Sequence, residues 1–480
     1  MSSDTNNMPE GSPPTPLTLA DEPLERAAAL AARLYVEIYR GLERRPVSPR
    51  TTRMELRRLL AGRLGDEGVG LEAALEDFER LILPHSMGIP HPLYLGLVNS
   101  SPLPAGPLAD LLVSALNNNA GAFSQGPAAW VCERELVEAF LNLVGLPKGS
   151  DGMVLPGGTF ANLQGLVLAR TQAFGARVPP SARLYTSEAA HFSVTRSARV
   201  VGFDDEQVVA LPVQGRGELD PGRLADEVRR DQARGRRPFA LVATAGTTGT
   251  GAIDPLEELA RVCREEALWM HVDACYGGSA LLLPELAHRF AGIEHADSVA
   301  VDPHKWFFVP IAAAILLTAH PQWGEQAFGT EAGSYIPQDG EREAWLWGLP
   351  TSRRASSLTV WLTLRAHGWD AIRGAVRRDI ALVRALEESL RARGFEVLPD
   401  GELSVACARA PSGGRGAQAA DDLQSRIAAR VSSSGQAWFS TARHAGRTWL
   451  RFNLLNLHTR EEHVDRLVEL VLAAARDDAG

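Results

Sequence analysis

The chain has 480 residues, a net charge of −9 and only four cysteines, with 45% hydrophobic and 22% charged residues. That length can bury a large core and exceeds one typical domain. The acidic balance, with no basic stripe, argues against nucleic acid or an anionic membrane as partner. Scattered cysteines without CxxC spacing argue against a metal site or a disulfide framework.

Residues 1–20, rich in Pro, Ser, Thr and Asn, are expected to be disordered. From Glu22 apolar residues recur at helical spacing through "LERAAALAARLYVEIYRGL", and a second helical stretch, "LEAALEDFERLILP", closes near Pro84. These two define an N-terminal helical arm over 21–85. A Pro- and Gly-rich passage follows, then helices are predicted around 107–119 and 128–145.

From about residue 150 the pattern changes. Short apolar runs ("ARLYTS", "VVALPV", "FALVATAG", "WMHVDA", "DSVAVD", "AAAILLTA") alternate with amphipathic segments such as "DPGRLADEVRRDQARG" and "DPLEELARVCREEA". Continuous apolar strands alternating with helices predict an α/β domain, mainly parallel, with helices on both faces of the sheet. Its expected span is 86–370. A long helix is predicted from about 356 to Gly394, and 371–480 reads as a smaller α+β domain. Its strands are "FEVLP", "SVACARA" and "TWLRFNLL"; its helices are "QAADDLQSRIAARV" and "REEHVDRLVELVLAAA". The longest apolar run, "VPIAAAILLTA", is too short to cross a bilayer. No secretory pattern opens the chain, so a cytoplasmic setting is expected.

Among 49 basic residues only Lys148 and Lys305 are lysine. Arginine replaces lysine on a solvated surface but cannot supply an amine that loses its proton. Lys148 sits in a turn, "GLPKGSDG". Lys305 follows the strand "SVAVDP", where burial is expected to lower its pKa and leave an amine able to form a Schiff base. Three other features fall at predicted strand ends. "LPGGTFAN" offers Gly157, Gly158 and Thr159 ahead of a helix, either as a phosphate cradle or as an ordinary N-cap. Asp273 ends an apolar strand, either as a cap or ion pair or as a carboxylate that keeps a pyridine nitrogen protonated. His191 follows "ARLYTS", exposed or hydrogen-bonded as a lone histidine usually is, or stacked on a flat cofactor.

The ordered set "GGTFAN", "AHFSV", "TAGTTGTGAIDP", "WMHVDACYGGSA" and "DPHKWF" closely resembles the group II pyridoxal-phosphate-dependent amino-acid decarboxylases over residues 85–370. The resemblance implies a fold-type-I homodimer with active sites at the interface and the N-terminal arm on the other subunit. It implies Lys305 as the internal-aldimine lysine, Asp273 as partner of the pyridine nitrogen and His191 on the ring. Gly157, Gly158 and Thr159 would hold phosphate. Thr248, Cys275, Asp302 and His304 would complete the pyridoxal 5'-phosphate site. Arg353 matches an arginine near the substrate carboxylate, and Val98, Asn99 and Ser100 fall on the substrate segment, where aromatic members carry aromatics. Members also carry a loop tyrosine that protonates Cα, and the single tyrosine here, Tyr335, aligns better ahead of that loop. The expected activity is decarboxylation of an L-amino acid to amine and carbon dioxide. Aldehyde synthesis, another fold-type-I lyase reaction and an inactive cofactor-binding protein remain alternatives.

Overall fold

The computed structural model describes residues 20–329 and 342–476. The expected disordered stretch therefore lies almost wholly outside the described residues, as does Tyr335. The chain divides into two units, Met1–Gly88 and Ile89–Gly480.

In the first unit, the helix Asp21–Arg40 opens with Asp21 and Glu22 and closes with Arg40, charges that complement its dipole. The helix Leu71–Asp77 runs on into a π turn over Phe78–Ile82 and a 3₁₀ turn over Leu83–His85. Arg33 pairs with both Glu37 and Glu79 at 2.9 Å. A third helix, Arg53–Leu60, was not expected from periodicity. Its signal is the capping box "TRME", in which Thr52 and Glu55 satisfy each other's backbone N–H.

The second unit is built on a seven-stranded sheet. Its strands, in the chain order of all fourteen, are β2 (Asp151–Leu155), β3 (Ala182–Ser187), β4 (Val208–Leu211), β7 (Arg237–Thr244), β8 (Trp269–Asp273), β9 (Ser298–Val301) and β10 (Ala314–Thr318). Their spatial order is β2-β10-β9-β8-β7-β3-β4. Only β10 runs against its neighbours. Because successive strand residues face opposite sides, Leu241, Ala243, Met270 and Val272 enter one core. Ala240, Val242, Trp269 and Ala300 enter the other. Helices Pro127–Val144, Pro221–Ala233 and Leu256–Glu265 cover the first face; Gly158–Phe174 and Ser193–Val201 cover the second. Two-sided burial is why these strands read as unbroken apolar runs.

The second sheet has the order β1-β13-β14-β12-β11, with β1 (Tyr94–Leu95), β11 (Glu396–Val397), β12 (Val405–Arg409), β13 (Trp438–His444) and β14 (Arg447–Asn453). A small hairpin, β5 (Val213–Gln214) with β6 (Glu218–Leu219), completes the strands. The strand β1 comes from ahead of the large sheet and pairs with β13, its Tyr94 ring stacked on Trp438. The expected C-terminal domain over 371–480 thus shares its sheet with an N-terminal segment, and residues from Ile89 onward cluster as one unit. The long helix spans Ser356–Arg391, broken only at Gly368.

Candidate active site

Because β2, β3, β7, β8 and β9 are parallel, the loops after Leu155, Ser187, Thr244, Asp273 and Val301 leave the sheet at one edge. They enclose a cavity of about 780 Å³. Gly157, Gly158, Thr159 and His191 line it, with Thr248, Asp273 and Cys275, and the Asp302–His304–Lys305 turn closes it. Leu97, Val98 and Asn99 form part of its mouth.

The helix Gly158–Phe174 starts directly behind β2, which puts its first N–H groups at the cavity. Glycine is required at 158: a Cβ there would lie 2.6 Å from both Asp302 Oδ2 and Cys275 Sγ. Asp273 is buried, which by itself raises its pKa, yet Lys305, the Cys275 thiol and Asn162 hold it below the ordinary carboxylate range. Asn162 Nδ2 donates to Asp273 Oδ2 at 2.8 Å and the Cys275 N–H to Oδ1 at 3.1 Å. Burial lowers the His191 pKa, with Asp273 pulling the other way, so the ring is neutral at neutral pH. The Cys275 thiol is pushed well up, first by burial and then by Asp273 and Asp302.

Lys305 corrects one expectation. Burial does work to lower its pKa, but the carboxylates of Asp302, with its Oδ2 3.0 Å from Nζ, and of Asp273 reverse the sign. In this arrangement the amine is held as an ammonium, and Asp302 is the acceptor adjacent to its proton.

Two sequence assignments lie elsewhere. Arg353 is behind the cavity wall, in a smaller hollow that shares Pro156 and Ala312 with the main one. Its Nη2 pairs with buried Glu133 at 2.6 Å and reaches the Val154 carbonyl, while Nη1 reaches that of Ala120. Three of its five N–H donors are so committed, and the side chain is not among those lining the main cavity. Ser100 is buried and is not among the residues lining the cavity. Conversely, Arg451 was missed. From β14 it donates Nε to the Thr248 carbonyl at 2.7 Å and Nη1 to that of Gly96, tying two cavity loops to the second sheet. An arginine inside the apolar run "TWLRFNLL" was the available signal.

Asp302 Oδ1 and Thr244 Oγ1 are buried at the cavity and bond to no protein group, which suits a ligand that exchanges hydrogen bonds. A helix start, a buried carboxylate and a buried amine around one cavity fit the phosphate, ring nitrogen and aldehyde of pyridoxal phosphate on a fold-type-I scaffold. The chain matches the pyridoxal-dependent decarboxylase conserved domain over residues 54–410 and belongs to that family. Pyridoxal phosphate is its cofactor and it is a carboxy-lyase. It is 28% identical over 468 residues to the aromatic-L-amino-acid decarboxylase of Bacillus atrophaeus, covering 96% of this chain and 97% of that protein. It is 32% identical over 428 residues to the L-2,4-diaminobutyrate decarboxylase of Rhizobium meliloti (strain 1021), covering 86% and 84%. The solved 4-hydroxyphenylacetaldehyde synthase of Rhodiola rosea has a TM-score of 0.88 at 27% identity, covering 96% and 99%.

Proposed function

We propose that the enzyme removes the α-carboxylate of an L-amino acid with an apolar side chain, releasing the amine and carbon dioxide. The cavity lining carries this reading. Leu97, Val98, Phe160, Phe192 and Ile311 surround the mouth, and Lys305 is the one Lys or Arg among the described lining residues. A second carboxylate or sulfinate on the substrate would have no arginine there. A second amine would find only Asp302, already paired with Lys305, and Asp273, already bonded by Asn162 and the Cys275 N–H.

When bound, pyridoxal phosphate supplies the electron sink for the bond that breaks. Asp273 supplies a fixed negative charge for the ring nitrogen, and Gly158 and Thr159 supply donors for phosphate. Asp302 Oδ2, 3.0 Å from Nζ, holds the Lys305 ammonium, which must lose its proton before its amine reacts. His191 returns a proton to the substrate carbon, its ring anchored through Nδ1 by the Ser193 hydroxyl at 2.8 Å.

A second copy of the chain completes the assembly in this reading. Leu108, Leu111, Leu112 and Leu116 form one exposed stripe on the helix Ala105–Leu116, the apolar face a homodimer would bury. Sedimentation as a monomer at micromolar concentration would refute this.

A screen of amino acids, reading carbon dioxide, amine, aldehyde and peroxide together, tests the reaction. Amine with carbon dioxide from aromatic or aliphatic substrates is expected. Aldehyde with peroxide would replace it by oxidative aldehyde synthesis, and turnover restricted to acidic or diamino substrates would overturn the apolar assignment.

A further inference from the structure

Behind Asp273 runs a chain of buried polar groups in which Asn162 and Ser193 reach the cavity wall and Trp269, His271 and Ser298 lie behind it. Trp269 Nε1 donates to Ser298 Oγ at 2.9 Å, and Ser298 Oγ is 2.8 Å from His271 Nδ1. His271 Nε2 is 3.0 Å from Asn162 Oδ1. Asn162 Nδ2 then reaches both Asp273 Oδ2, at 2.8 Å, and Ser193 Oγ, at 3.1 Å. Ser193 Oγ is in turn 2.8 Å from His191 Nδ1. Every member before His191 is buried. Gly165 leaves room for the His271 ring, since a Cβ there would come within 2.6 Å of it.

The direction of each bond follows from its two ends. An ionised carboxylate only accepts and an indole N–H only donates. Asp273 therefore faces the amide NH₂ of Asn162, whose Oδ1 must accept. His271 then carries its proton on Nε2, and its Nδ1 must accept from the Ser298 hydroxyl. The Ser298 oxygen is free to take the Trp269 N–H. On the other branch the Ser193 oxygen accepts from Asn162, and the Ser193 backbone N–H donates to His191 Nδ1 at 3.3 Å, so Nδ1 accepts and the hydroxyl proton points to it. A neutral His191 must then carry its proton on Nε2. Burial holds the His271 pKa down to about 4, against the pull of Asp273, so its ring stays neutral and the direction does not reverse near neutral pH.

We propose that Trp269, Ser298, His271 and Asn162 form a one-way hydrogen-bond relay that keeps Asp273 ionised and, through Ser193, fixes His191 as its Nε2–H tautomer. Asn162 and His271 are thus positioning residues for two groups on opposite sides of the reaction. The proposal rests on the assignment of Asp273 and His191 to the cofactor.

Side-chain ¹⁵N NMR of the full-length apoprotein reads the tautomers, and equilibrium dialysis against pyridoxal phosphate reads affinity, with thermal melts confirming that each variant folds. The wild type should show both histidines as Nε2–H. Ser193→Ala, which keeps only the 3.3 Å bond from the residue 193 N–H, should raise the share of the His191 Nδ1–H tautomer while leaving cofactor affinity within about threefold. Asn162→Ala should shift the tautomer in the same direction and weaken the cofactor about 10- to 100-fold. His271→Leu should weaken the cofactor about tenfold, and His271→Gln, which keeps a donor and an acceptor, should recover most of that loss. A wild-type His191 protonated on Nδ1, or His271→Gln no better than His271→Leu, would overturn the relay. So would Asn162→Ala leaving affinity intact when Asp273→Asn lowers it. Unchanged affinity in both of those variants would instead remove the assignment of Asp273 on which the proposal stands.

Discussion

At the floor of the Lys305 cavity, Asp273 and Asn162 are buried and hydrogen-bonded, backed by His271. At its mouth Leu97, Phe192 and Ile311 are 50%, 62% and 60% exposed, and their side chains carry no hydrogen-bonding group to satisfy. The two regions are under different physical constraints. A buried charge or amide is tolerated only with its partners in place, so each floor residue specifies the next. An exposed apolar side chain answers only to shape, so the mouth can change while the floor does not. The proposed function puts chemistry on the constrained side and substrate choice on the permissive one.

Breaking the floor at its reactive amine should have the largest effect. Lys305→Ala is expected to lower kcat by at least about 10³-fold, and borohydride should leave no cofactor on the chain. A variant still trapped by borohydride would move the assignment to another amine. Next comes the wall behind the floor. Arg353→Met leaves Glu133 buried without its cation and should destabilise the fold by about 3–5 kcal/mol in urea titrations. KM should stay within about twofold; a large rise in KM with unchanged stability would restore Arg353 to the substrate.

A pH effect of smaller size comes from Asp254, which accepts from the N–H of Thr244, at the end of β7, and of Leu219. Burial pushes its pKa up to about 6, against those two N–H groups. A folded pKa above the unfolded one favours the protonated form. The group's stabilising contribution is therefore complete below about pH 4 and is lost as pH rises through about 6. The stability difference between wild type and Asp254→Asn should shrink by on the order of 3 kcal/mol across that window. A difference that grows with pH would reverse the sign assigned here.

The same contrast explains what could be read from the sequence. The parallel sheet was legible because two-sided burial writes continuous apolar runs. The floor was legible because Lys305 and Asp273 are odd residues where they stand. By contrast, β2 and β13 were missed because "DGMVL" and "WFSTARH" carry polar and glycine residues that dilute the strand pattern. The Arg353 pair was not legible because an arginine beside another arginine gives no sign of Glu133, more than two hundred residues away in sequence. The ammonium state of Lys305 was missed for a related reason: burial could be inferred from the strand, whereas the joint field of Asp302 and Asp273 exists only once two strand ends are neighbours.

The mouth offers the mildest test and the sharpest one for the comparison. The Leu97 backbone is held, since Asn453 Nδ2 donates to its carbonyl at 3.3 Å and Arg451 grips that of Gly96, but its side chain is half exposed. Leu97→Ala should therefore leave the loop in place and only widen the entrance. The expected result is a shift of about tenfold in the kcat/KM ratio between a bulky aromatic and a smaller aliphatic amino acid, toward the larger one. Cofactor absorbance and melting temperature should stay at wild-type values. If Leu97→Ala instead removes activity toward every substrate, the mouth is as constrained as the floor. Specificity would then have to be sought in residues that a second subunit brings.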